Sequence, residues 1–163
     1  CASWKESDGM SIAFDQSLIL RIENAKTNTE VLTRMCEHLC EKEIVKDTYC
    51  EAILERERNF PTGLNTHGIN VAIPHADVCH VNKASLCVAV LEPTVDFHAM
   101  DEPEDAVAVS LVIMLVLTEP HGHLEMLQKI VGLIQNQEDV KQIIAAEDKR
   151  DIEMVIRRHL LET

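Results

Sequence analysis

Among the eight histidines of this 163-residue chain, two places differ from the rest in what precedes them. His75 follows "INVAIP" (69–74), an apolar run stopped by Pro74, and the "HGH" of 121–123 follows Glu119-Pro120, at the end of the longest apolar run. A histidine just past the end of a buried strand is exposed and already aimed. In open α/β sheets, the crevice at the carboxyl ends of strands is where ligands bind. Near neutral pH imidazole is largely uncharged and has a free lone pair, so it can attack phosphorus. A phosphoryl group in transfer spreads charge over its oxygens, so it needs positioning and donors. Arg56, ahead of "FPTG" (60–63), offers a forked cationic donor. His123 opens a helical pattern, and helix N-terminal amides favour an anion. Spacing alone does not separate such a site from three incidentally placed side chains.

The remaining histidines and the cysteines need no chemistry. His38 and His159 lie on charged helical faces where solvent exposure is expected, His67 lies in a loop, and His98 is expected in a polar connection after a strand. His80 is five residues after His75, which is not a same-face spacing for a metal pair even on a helix, and Pro74 favours strand-to-loop geometry there. No metal site is assigned. The six cysteines (1, 36, 40, 50, 79, 87) include no C-x-x-C. Free thiols in a reducing compartment are expected.

The elements that would position these residues follow from periodicity. "SLILRI" (17–22) reads as a first strand. "TNTE" (27–30) has capping-box spacing, and Val31, Leu32, Met35 and Leu39 then form one apolar face. Asp47 is expected to open a second helix through "AILERER" (52–58), followed by a loop over 61–68. Strands are expected at 69–74, 84–91 and 106–117, the last buried on both faces. The spacing predicts a helix over 123–135 with Leu124, Leu127, Ile130, Val131 and Ile134 on one stripe, then helices over about 138–146 and 149–161. This order predicts a single layered α/β domain over 12–163, a mixed β-sheet flanked by helices on both faces, after a disordered leader of residues 1–11.

Charge narrows the partners. Fifteen basic against 28 acidic residues give a net charge of −13 with no basic cluster, so nucleic acid is not expected to bind. No run reaches the roughly 18 apolar residues of a membrane span, and no signal-peptide pattern opens the chain. A cytoplasmic protein without direct membrane insertion is expected.

"RERNFPTGL" (56–64), "GINVAIPHAD" (68–77) and "HLEMLQKI" (123–130) resemble a known family. It comprises the enzyme IIA domains of the mannitol and fructose class in the phosphoenolpyruvate-dependent sugar phosphotransferase system. The resemblance covers roughly residues 12–160. "FPTGLNTHGINVAIPHADVCHV" and "EPHGHLEMLQ" look most like its galactitol-specific branch. The resemblance implies that His75 is the phosphorylated histidine, that Arg56 is the active-site arginine with Glu57 its neighbour, and that His123 is the second active-site histidine. His121, two positions earlier, is a rival for that last role. The implied reaction is a relay in which phospho-HPr donates to His75, and His75 passes the group to a cysteine of a cognate IIB component serving a membrane IIC transporter. Neither metal nor cofactor is implied. The alternatives are a stand-alone regulatory module of the same fold, phosphorylated as a signal, and a histidine-rich metallohydrolase.

Overall fold

The most apolar run of the chain becomes the middle strand of a five-stranded sheet. The computed structural model describes residues 12–161, so the expected leader lies outside the described residues. The strands are β1 (Ile19–Glu23), β2 (Gly63–Leu64), β3 (Asn70–Ala72), β4 (Ser85–His98) and β5 (Ala106–Val116). Their order is β1-β4-β5-β3-β2. β1 runs parallel to β4 and β3 parallel to β5, while the β4–β5 and β2–β3 pairs are antiparallel, which makes the sheet mixed. Residues Leu111 to Val116 of β5 are all buried, as a strand covered on both faces requires.

The helices fall into two groups. α1 (Asn28–Glu41) and α2 (Tyr49–Asn59) pack on each other, and α1 also packs on β4. α3 (Gly122–Gln135), α4 (Gln137–Ala145) and α5 (Lys149–Ile156) pack in series, and α5 reaches β1. The burial of both faces of β5 agrees with the helix cover on each side that the sequence predicted.

The cap of α1 is nearly the expected box. Thr27 Oγ1 accepts the Glu30 N–H at 3.1 Å, but the Glu30 carboxylate reaches back to the Lys26 N–H, also at 3.1 Å, rather than to that of Thr27. The predicted face is buried, with Cys36 added to it. α2 begins after Thr48 rather than at Asp47.

Three expectations change. The strand expected over 84–91 continues to His98, because a register shift between Val90 and Val95 accommodates Pro93, which has no N–H to give the ladder. His98 is therefore a strand residue, not part of a connection. α3 buries Met126, Ile130 and Leu133 and leaves Leu124 61% and Val131 38% exposed, so the expected stripe straddles the edge of the true one. His38 and His159 are tethered rather than free. His38 Nε2 donates to the Ser17 carbonyl at 2.6 Å, and His159 Nε2 pairs with Asp139 Oδ2 at 2.6 Å.

Candidate active site

β3 ends at Ala72, and three main-chain contacts carry the chain to His75. The Ile73 N–H donates to the Thr62 carbonyl at 3.2 Å, and the Pro74 carbonyl accepts the Leu115 N–H at 2.9 Å. His75 then bridges in parallel to Leu115. Because β3 and β5 are parallel neighbours, this places His75 at the carboxyl ends of both. The half-buried ring is oriented by a contact of 3.0 Å between Nδ1 and the Ile73 carbonyl. A carbonyl only accepts, so Nδ1 carries the hydrogen and Nε2 keeps the lone pair. Burial lowers the pKa of His75, the Ile73 carbonyl partly offsets this, and the Arg56 charge lowers it further. The ring is thus neutral at pH 7, with the lone pair on Nε2.

His123 faces it. The two ring centroids are 4.9 Å apart at an interplanar angle of 37°. His123 Nε2 is buried and without a hydrogen-bond partner. Burial lowers its pKa too, followed by the neighbouring His75, against the Pro120 carbonyl; Arg56 adds to the lowering and Asp77 opposes it. The expected anion cradle of helix amides is different in fact. The N–H groups of Gly122, His123 and Leu124 are already donated to the carbonyls of Glu119, Pro120 and His121 at 3.1–3.2 Å. The tight turn that opens the helix takes them, so the donor on offer at this helix end is the His123 side chain.

His121 is the exposed residue capping α3 and does not line the cavity that holds His75. That cavity, about 540 Å³, is lined by Arg56, His75, Asp77, Cys79, His123 and Leu124 among others. The Arg56 guanidinium lies over the Phe60 ring, 5.3 Å from its centroid, and its Nε is buried without a partner. Glu57 is turned inward at 6% exposure. Its Oε2 accepts the Thr62 N–H at 2.9 Å and its Oε1 accepts the Thr62 hydroxyl at 2.8 Å. His80 turns elsewhere, with its Nδ1 2.7 Å from Thr48 Oγ1.

Phe60 and Asp77 were not singled out from sequence, and Leu124 was placed only on the apolar stripe of its helix. Phe60 had a local signal, an aromatic residue four positions after an arginine near a helix end. Asp77 and Leu124 each flank a chosen histidine, but nothing in their spacing says that they face the same cavity.

A family model described as "Phosphoenolpyruvate-dependent sugar phosphotransferase system, EIIA 2" matches residues 13–159. The galactitol-specific EIIA component of Escherichia coli (strain K12) is 36% identical over 118 residues, covering 71% of this chain and 77% of that protein. The fructose-specific EIIABC component of Bacillus subtilis (strain 168) is 32% identical over 116 residues, covering 70% of this chain and 17% of that one. Among solved structures, enzyme IIAMTL in its complex with phosphorylated enzyme IIBMTL from Escherichia coli superposes with a TM-score of 0.74. It is 18% identical and covers 91% of this chain and 99% of that chain, so it speaks for the fold.

Proposed function

Because the chain belongs to the EIIA 2 family of the phosphoenolpyruvate-dependent sugar phosphotransferase system, we propose that it carries its phosphoryl group on Nε2 of His75. Members of this family are phosphotransferases that form a phosphohistidine, and the chain is an EIIA component. The observation that carries the residue assignment is the Nδ1 contact with the Ile73 carbonyl. It leaves Nε2 as the free lone pair in a cavity that also holds Arg56 and His123.

The phosphoryl donor in this reading is phospho-HPr. The lone pair of His75 Nε2 forms the new N–P bond while the old P–N bond breaks, and its electron pair returns to the donor's imidazole. The hydrogen on Nδ1 stays in place, and the Ile73 carbonyl stabilises the positive charge that the ring acquires. Arg56 and His123 bind the phosphoryl oxygens. An arriving dianion reverses the balance at His123 and favours its protonated form, which donates from both nitrogens. Glu57 and His121 do not touch the group in this reading.

The acceptor is a cysteine of a cognate IIB component. Its thiolate forms the S–P bond, and the N–P electron pair returns to Nε2. Support for a IIB partner comes from the relative solved with IIB and from the relative whose name joins EIIA to further components. The similarity to galactitol-specific EIIA makes a galactitol-type IIB, with its membrane IIC, the first partner to try. Among the described residues no helix is long and apolar enough to cross a membrane. We place the protein in the cytoplasm, where phospho-HPr is available. Reconstitution with phosphoenolpyruvate, enzyme I and HPr tests the donor, and addition of purified IIB proteins tests the acceptor. Phosphate that moves on to a galactitol-type IIB is the expected result. Phosphate that no IIB protein accepts would favour the regulatory module instead.

A further inference from the structure

We propose that Glu57 is a positioning residue that holds Arg56 in register with His75, an inference resting on the His75 reading above. Arg56 and Glu57 are neighbours on α2 with opposite fates, the first lining the cavity and the second turned inward. Only three polar or charged residues among those described are buried, Glu57, Thr62 and Ser85, and two of them bond to each other. A carboxylate is costly to bury without a cation, and no ion pair to Glu57 occurs among the described residues. Burial accordingly pushes its pKa up to about 7, although both bonds from Thr62 oppose the rise.

The location of this group explains its use. Both carboxylate oxygens hold Thr62, in the loop after α2. The Thr62 carbonyl accepts the Ile73 N–H at 3.2 Å, and the Ile73 carbonyl holds His75 Nδ1 at 3.0 Å. Four consecutive hydrogen-bonded residues thus join the helix that carries Arg56 to the strand end that carries His75. His75 has a second anchor, through Pro74 to Leu115 on β5. Loss of Glu57 should therefore leave the strand end in place and let the end of α2 drift, displacing Arg56 from the phosphoryl group.

Transfer rates from phospho-HPr to Glu57→Ala, Glu57→Gln, Arg56→Ala and the Glu57→Ala/Arg56→Ala double variant test this. A misplacement of about 1 Å at a reacting centre can cost a hundred-fold, so Glu57→Ala should slow transfer by roughly ten- to a hundred-fold. Glu57→Gln can accept from the Thr62 N–H and donate to its hydroxyl, so it should recover most of the rate. The penalty of Glu57→Ala should nearly vanish in the Arg56→Ala background, because no guanidinium is left there to misplace. Two penalties that simply multiply, or wild-type transfer by Glu57→Ala, would overturn the proposal. Should Glu57→Ala not fold, Thr62→Val, which removes one of the two bonds, takes its place, with Thr62→Ser as the rescue. Phosphate found on a residue other than His75 in the wild-type chain would overturn the underlying reading instead, and the two failures are told apart by mapping.

Discussion

His75 owes its form to one backbone carbonyl. Without the Ile73 acceptor the ring could carry its hydrogen on either nitrogen, and the position of the free lone pair would be undefined. Burial works alongside by keeping the ring uncharged. The sign follows directly. The folded pKa lies below the ordinary 6.5, so an unfolded chain takes up the proton first, and this ring's contribution to stability is lost as pH falls from 6.5 towards the folded pKa. An NMR titration of the imidazole C2 proton should therefore place the midpoint of His75 below 6.5, and a midpoint at or above 6.5 contradicts the burial argument. Arg56 belongs to the same scale. Removing one preorganised donor typically costs about a hundred- to a thousand-fold in rate, so Arg56→Ala should lose that much in a transfer assay. Arg56→Lys should recover part of it, because it keeps the charge without the fork. That His75, Arg56 and His123 come together was legible in the sequence, because each stands beside a local mark, a strand-ending proline, a loop or a helix start. The bonds from Thr62 to Glu57 were not legible, because they depend on the path the chain takes after the helix ends.

The start of α3 decides which group can assist the histidine. Its first amides are consumed by the turn through Glu119, Pro120 and His121, so the His123 imidazole is left to supply the donor. His123→Ala should slow transfer markedly, and His123→Gln, which keeps an N–H donor, should restore much of the rate. His121→Ala should change little, since His121 is exposed and outside the cavity. An unaffected His123→Ala would show that the ring is dispensable. β2 makes a second demand. A Cβ on Gly63 would lie 2.6 Å from the His98 carbonyl oxygen, a backbone atom that cannot swing aside. Gly63→Ala should therefore destabilise the fold by about 1–3 kcal/mol in denaturant unfolding, the usual range for overpacking. At this scale the sequence was read well where periodicity is strong, as in α1 and β5. It was read poorly at two places: the strand expected to stop at 91 runs on to His98 through a register shift, and the stripe expected on α3 left out the buried Met126 and Leu133.

The molecule as a whole is a sheet buried on both faces, with the cavity that holds His75, Arg56 and His123 at the carboxyl ends of β3 and β5. Its mixed topology was legible, because strands first alternate with helices and then follow one another directly. The pairing β1-β4-β5-β3-β2 was not, because it rests on which apolar faces meet in space. Glu57 leaves a global signature in this frame. Its folded pKa of about 7 is above the ordinary 4.5, so the folded state holds the proton more tightly and stability is lost as pH rises from 4.5 through 7. The loss amounts to about 3 kcal/mol at one pH unit per 1.36 kcal/mol. Glu57→Gln should therefore be more stable than the wild type at pH 8 in denaturant unfolding, with the gap closing towards pH 4.5. A gap that does not change with pH would mean that Glu57 does not ionise in the core. The central claim is that phosphate rides on one nitrogen of one residue. Nitrogen-15 and phosphorus-31 NMR of the chain after reaction with phospho-HPr tests it most directly. A single phosphohistidine at Nε2 of His75, absent from His75→Ala, is the predicted result; phosphate on Nδ1, on His121 or on His123 would contradict it.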